Sequence, residues 1–168
     1  MVRVRRAELK DVAEIIAICS AGWQETYKDL VSQSCIDQVI KEYYNTVSVT
    51  KEVTENSPNF HGYWVAEKDD QVLGCIGGGV DGENAGHVYV FYVHPAMKGQ
   101  GIGTALLNAF TAYQKETYGI TEQWVTSLME GNLIGQAFYE KSGFVFDYAT
   151  EDKQAEHSNR SFHLKRPV

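Results

Sequence analysis

The sequence predicts a single mixed α/β domain, a β-sheet flanked by helices, and three observations carry that expectation. Hydrophobic spacing switches between a period of two and a period near 3.6 along the chain. The periodic runs are short, and glycine, proline or polar clusters bound them. The 168 residues, 43% hydrophobic and 22% charged, suffice for one core with helices on both faces of a sheet. Residues 1–168 are therefore read as one domain.

In residues 2–7, Val2 and Val4 alternate with Arg3 and Arg5, as in a half-exposed strand. From Asp11 the period changes, and Val12, Ile15, Ile16, Cys19 and Trp23 share one side of a helix. Ile36, Val39, Ile40 and Tyr43 predict a second helix. Residues 47–59 are polar and contain Pro58, which predicts a loop or a frayed helix end. A hairpin follows, with strands over 61–67 and 72–79 around the turn Lys68-Asp69-Asp70-Gln71. The run Gly77-Gly78-Gly79 then leads to a polar turn over 81–84.

Residues 87–93 are almost all β-branched or aromatic, which predicts a central strand buried on both faces. Pro95 ends it, since proline has no N–H for a ladder. A helix with Leu106, Leu107, Phe110 and Tyr113 on one face comes next, then a strand over 123–129. Residues 133–142 predict a helix that Gly143 stops. Residues 144–146 read as a short strand, and 161–164 as a last strand at the sheet edge.

Composition narrows the function. A formal net charge of -7 weighs against a general nucleic-acid binder, which needs a basic face to neutralise phosphates. It is compatible with a cationic acceptor such as an amine. Cys19, Cys35 and Cys75 are odd in number and form no CxxC pair, so they read as small hydrophobes in a reducing, cytoplasmic setting. No apolar run approaches the ~20 residues of a membrane span, and no hydrophobic signal segment follows Arg3, Arg5 and Arg6. The histidines lack metal-ligand spacing, and no metal is expected.

The segment Lys98-Gly99-Gln100-Gly101-Ile102-Gly103 lies between a strand and a helix. Its backbone N–H groups can face an anion at the positive end of that helix. The glycines let a ligand approach the backbone, and Lys98 adds a positive charge. A dinucleotide fold predicts such a loop near the chain start, after a first βαβ strand. Here it lies past the middle, after a hairpin. A Walker loop needs Gly-Lys-Ser/Thr, and Gly103-Thr104 has no lysine between its residues.

The run from Tyr92-Val93-His94-Pro95 through Lys98-Gly99-Gln100-Gly101-Ile102-Gly103-Thr104 closely resembles motif A of the GNAT N-acetyltransferase superfamily. Its core is Arg/Gln-x-x-Gly-x-Gly/Ala after a Val-x-Pro strand end; Lys98 keeps the charge but loses the planar fork. Some 30 residues on, Asn132-Leu133-Ile134-Gly135-Gln136-Ala137-Phe138-Tyr139-Glu140-Lys141-Ser142-Gly143-Phe144 resembles motif B, Asn-x-x-Ala-x-x-Phe-Tyr-x-x-x-Gly-Phe. Gly135 stands where alanine is usual, a change that costs ~1 kcal/mol inside a helix and predicts a looser helix start. The resemblance is strong over residues 63–146, weaker before them, and absent over the last twenty or so.

The resemblance implies a GNAT-like mixed, splayed sheet with acetyl-CoA in the opening between two central parallel strands ending near Val93 and Leu128. The pantetheine arm would pair with backbone of Phe91, Tyr92 and Val93. The pyrophosphate would take N–H groups from Gly99, Gln100, Gly101, Ile102, Gly103 and Thr104, beside Lys98. Asn132 maps near the cofactor, or caps the helix that begins at Leu133. Acetyl transfer in this family is direct attack of an amine on the thioester. Tyr139 matches the tyrosine that faces the sulfur and is the candidate acid. An N–H near Val93 would meet the oxyanion.

Many relatives carry a glutamate where this chain has His87, which can accept a proton near neutral pH. Glu130 and a water chain without a dedicated base are the other readings. Trp23, Glu25 and Tyr27 fall where the family's acceptor selectivity resides, and aromatic faces with carboxylates favour a cation. A small-molecule amine such as a polyamine is the expected acceptor, with protein N-termini or lysines, or acyl-CoA binding without catalysis, as alternatives. A homodimer stays open.

Overall fold

The computed structural model describes all residues except 83 and 152–159. In chain order the elements are β1 (Arg3–Arg6), α1 (Val12–Tyr27), α2 (Gln33–Tyr43), α3 (Thr46–Thr54), β2 (Tyr63–Lys68), β3 (Gln71–Asp81), β4 (Ala85–Val93), α4 (Ile102–Tyr118), β5 (Glu122–Met129), α5 (Leu133–Lys141), β6 (Val145–Glu151) and β7 (Arg160–Pro167). Among the described residues, seven strands form one sheet in the order β1-β2-β3-β4-β5-β7-β6.

Helices cover both faces. On one, α4 sets Leu106, Leu107 and Phe110 against Trp64, Ile76, Val88, Val125 and Leu164. On the other, α1 and α3 bury Ile15, Ile18, Cys19, Val49 and Val53 against Tyr63, Val65 and Cys75. Each such aliphatic or aromatic side chain contributes about 1.5–3 kcal/mol when taken out of water. Cys19 and Cys75 are fully buried free thiols with Sγ atoms 3.6 Å apart, in keeping with their reading as small hydrophobes. The β2–β3 turn puts Asp69 and Asp70 at positive φ, the geometry that closes a two-residue hairpin with the correct twist.

The site depends on how β4 leaves its neighbours. β4 and β5 are the parallel pair, and their register runs from Ala85↔Glu122 to Val88↔Val125. Against β3, Gly77 pairs with Val90 and Gly78 with Val88, so Tyr89 is an extra residue in β4. Such a bulge bends the strand and increases its twist. It falls where pairing with β5 stops, and the outer halves of the two strands part. Gly78 is required here because a Cβ would run into the His87 carbonyl.

Three expectations are corrected. Residues 47–59, expected as a loop or a frayed helix end, are a formed helix over most of their length: α3 occupies Thr46–Thr54, with the Asn45 side chain accepting the Ser48 N–H at 2.9 Å, and only 55–59 are loop. Val49 and Val53, one turn apart, are its buried face, a two-residue stripe too short to stand out in a polar sequence. The final strand is not at the edge. β7 inserts between β5 and β6, pairing antiparallel with both, and leaves β6 outside. Finally, β4 is not buried on both faces, because Tyr89 at the bulge is 43% exposed.

Candidate active site

A cavity of about 640 Å³ is walled by the end of α1, the outer half of β4, the glycine loop and the start of α5. A smaller one of about 60 Å³ lies where the strands part, between Val88 and Val125. Phe91, Tyr92, Asn132 and Tyr139 border both.

The glycine loop has the backbone that anion binding asks for. Gly99 and Gly101 adopt φ of +82° and +80°, and a Cβ at either would meet nothing within 4 Å. Glycine is needed there for its left-handed conformation and not for space. Gly101 is the N-terminal flanking residue of α4, which has no side-chain cap. The first helical bond runs from Ala105 N–H to Gly101 O at 3.0 Å. The N–H groups of Ile102, Gly103 and Thr104 precede it, at the positive end of a 17-residue helix. Lys98, Gly99 and Gly103 line the large cavity. Ile102 turns its side chain into the core, so only its backbone is available, and the Gln100 amide lies 4.0 Å from Met97 Sδ.

The Asn132 side chain accepts the Gly135 N–H at 2.9 Å and caps α5, while the same residue borders both cavities. A Cβ on Gly135 would stand 2.7 Å from Asn132 Nδ2. The glycine therefore makes room for the cap, which fastens the helix start that sequence alone predicts to be loose. One turn on, the Tyr139 ring is buried beside Phe138, Phe144 and Phe91, at centroid distances of 5.5, 5.4 and 6.2 Å. Burial pushes its phenol well above the usual tyrosine range, and Tyr27 adds to the rise.

The other predicted residues divide. Glu25 borders the large cavity and lies 3.4 Å from Lys28; Tyr27 borders the small one. Trp23 borders neither and packs its ring on Tyr27 at 4.1 Å, supporting it from behind. His87 borders neither cavity, although Val88 and Tyr89, the next two residues of β4, border the small one. Its ring stacks on Tyr89 at 5.5 Å, and burial lowers its pKa against the opposing pull of Asp81 and Glu122. Glu130 is bound to Arg160 at 3.1 Å, a contact that lowers its pKa. The structure brings Tyr139 together with Asn132, Tyr27 and the glycine loop, and leaves His87 outside.

Sequence reasoning missed several wall residues. Asp29 borders the large cavity beside Glu25, and Tyr89 and Ser127 border the small one. Tyr92, which sequence did single out for its backbone, also packs its side chain on Gly22 of α1, and burial raises its pKa. Leu133 and Ile134 form the rim at 72% and 71% exposure. Two adjacent large apolar residues in the first turn of α5 were a readable signal, since only one of them can follow the helix's buried stripe.

The comparisons with known proteins agree with this geometry. The acetyltransferase (GNAT) family model matches residues 23–144, reaching further toward the N-terminus than the motifs do. A spermidine N(1)-acetyltransferase of Thermoplasma acidophilum is 26% identical over 145 residues, spanning 85% of this chain and 88% of that protein. The PaiA N-acetyltransferase of Thermoplasma acidophilum, solved with coenzyme A, superposes with a TM-score of 0.84 at 20% identity, over 100% of this chain and 99% of that one. Ard1 of Thermoplasma volcanium gives 0.74 at 20% identity, over 99% and 97%. The chain belongs to the acetyltransferase (GNAT) family.

Proposed function

We propose that this chain transfers the acetyl group of acetyl-CoA to a primary amine of a small cationic molecule such as a polyamine, and that residues 1–168 act as one catalytic domain. The observation that carries the reading is the meeting of two features in one cavity. Uncapped N–H groups of α4 lie at one end, and the carboxylates Glu25 and Asp29 lie on the wall at the end of α1. The first suits a pyrophosphate and the second a cation. The similarity to a spermidine N(1)-acetyltransferase points the same way. A cytoplasmic setting suits the free thiols of Cys19 and Cys75.

When bound, acetyl-CoA supplies an activated thioester. Gly99 through Thr104 hold its pyrophosphate by backbone N–H groups, with Lys98 adding charge, and Phe91 to Val93 offer strand backbone that β5 leaves unpaired. An N–H near Val93 donates to the developing oxyanion. Tyr139 holds its proton through neutral pH and shares it with the departing sulfur through a hydrogen bond, which offsets the charge of a thiolate whose conjugate acid has a pKa near 8–9. Among the described residues no carboxylate or imidazole borders the small cavity, so the amine's proton leaves by water passed along Tyr27, Tyr89 and Ser127. His87 and Glu130, outside the cavity walls or held by Arg160, are less suited to the task.

A thiol-release assay over a panel of amines tests the proposal. Turnover is expected with diamines and polyamines and to be much weaker with neutral-tailed amines or peptides. Coenzyme A binding without turnover on any amine would instead mark a non-catalytic acyl-CoA-binding module.

A further inference from the structure

Arg166, on β7, is a half-buried cation among neutral groups. Its Nη1 donates to the Ser142 carbonyl at 2.7 Å, and its Nη2 to Thr111 Oγ1 at 3.0 Å. Nε and Nη2 share Gln123 Oε1 at 3.1 and 2.9 Å, and the guanidinium lies 4.7 Å from the centre of the Phe144 ring. Among the described residues no carboxylate pairs with it. Arg5, by contrast, is gripped by Asp11 and Glu67. Taking a charge out of water without a counter-ion is costly, and a neutral side chain would fill the same space.

What the charge contacts is the end of α5. Ser142 is the residue that closes the helix, where carbonyls carry partial negative charge and an arginine is favourable. The Tyr139 carbonyl accepts the N–H groups of Ser142 at 3.1 Å and Phe144 at 3.0 Å. The Phe144 ring meets the Tyr139 ring edge-on, and its own face meets the guanidinium. Arg166 thus holds both segments that fix Tyr139, the carbonyl after it and the ring behind it.

Arg166 is itself anchored to the sheet. Gln123 Nε2 donates to Thr111 Oγ1 at 3.1 Å and to Gln114 Oε1 at 3.2 Å, and Gln114 Nε2 donates to the Gly79 carbonyl at 2.9 Å. This buried chain crosses β5, α4 and β3 at the level where β4 and β5 are still paired, Gly86 against Gln123.

We propose that Arg166 is a positioning residue that sets the place of Tyr139 in the cavity by tying the end of α5 and Phe144 to the sheet. The proposal rests on the reading of Tyr139 as the acid, and a double-mutant cycle separates the two. Arg166→Met is expected to lower kcat for thiol release about tenfold, the scale of a sub-ångström misplacement of a catalytic group, while the coenzyme A Kd stays within about twofold. Arg166→Lys keeps one donor for Ser142 without the fork and falls between. In a Tyr139→Phe background, Arg166→Met is expected to have no further effect on kcat.

An equal loss in both backgrounds, or no loss in folded Arg166→Met, overturns the proposal. Should Arg166→Met not fold, Arg166→Lys carries the same cycle, since it keeps the charge and loses the fork that ties Ser142 to Gln123; the same outcomes decide. A Tyr139→Phe enzyme as fast as the parent overturns the acid assignment instead.

Discussion

Val88 and Val125 are the last residues paired across β4 and β5, and Tyr89, directly after Val88, is skipped in the register with β3. The bulge and the end of parallel pairing coincide, so one backbone irregularity both bends β4 and frees the strand edge beyond it. The cavities, the glycine loop and the tyrosines all gather around that opening.

Tyr139→Phe should lower kcat by about 10²-fold or more while leaving the coenzyme A Kd nearly unchanged, since the ring packing survives and only the proton is lost. The buried phenol titrates above its ordinary value, so the acid form persists as pH rises through the neutral range. The pH–rate profile should therefore show no alkaline fall from this group below about pH 10, the ordinary tyrosine value. A Tyr139-dependent fall near pH 8 would remove it as the acid.

Gly101→Ala should raise the KM for acetyl-CoA several-fold. The new Cβ meets no protein atom, but a non-glycine residue at φ +80° costs roughly 1–2 kcal/mol. The strained loop relaxes by turning its N–H groups away from the anion. An unchanged KM would show that the loop backbone does not bind the pyrophosphate.

Asn132→Ala should lose about 1 kcal/mol of stability with the cap, or roughly 2–4 °C in Tm. Gly135→Ala should be close to neutral in the parent, because the ~1 kcal/mol gain in helix propensity is offset when the Cβ displaces the Asn132 side chain. In the Asn132→Ala background the same substitution should stabilise by the full ~1 kcal/mol. Thermal unfolding of the four proteins checks the cycle, and additive effects would contradict it.

Glu25→Gln with Asp29→Asn should raise the KM for a polyamine by roughly 3–10-fold at low salt, with kcat little changed and the difference shrinking as salt is added. A neutral primary amine should be indifferent to the pair. Equal effects on both amines would place the carboxylates away from the acceptor.

Stability should fall between pH 7.5 and 5.5, and His61 should contribute to the fall. Its ring is fully buried and stacked on Tyr118, with Nδ1 donating to the Ser57 carbonyl at 2.9 Å and Nε2 without a partner among the described residues. Burial lowers its pKa, so below about pH 6.5 the unfolded chain takes up a proton that the folded chain resists. Urea midpoints at the two pH values should differ less in His61→Gln than in the parent. His87 and His163 shift in the same direction and supply the remainder.

The sequence by itself determined the α/β class, most elements and two segments that border the large cavity, the glycine loop and the start of α5. These rest on local physics: hydrophobic period, proline and glycine punctuation, and glycines whose backbone angles at 99 and 101 exclude other residues. It also marked Asn132 and Tyr139, because one short helix holds both, Asn132 at its cap and Tyr139 about two turns on. Only the tertiary structure decided the rest. α3 was hidden because two buried valines become a stripe only against α1. The insertion of β7 is a choice of strand partners, which no local pattern encodes. His87 directly precedes Val88 and Tyr89 of the small cavity's wall yet is not part of it, since its ring is half-buried and stacked on Tyr89. Asp29, Ser127 and Arg166 reached Tyr139 and its surroundings from the end of α1, from β5 and from β7, distances in sequence that only the folded sheet and its helices bring together.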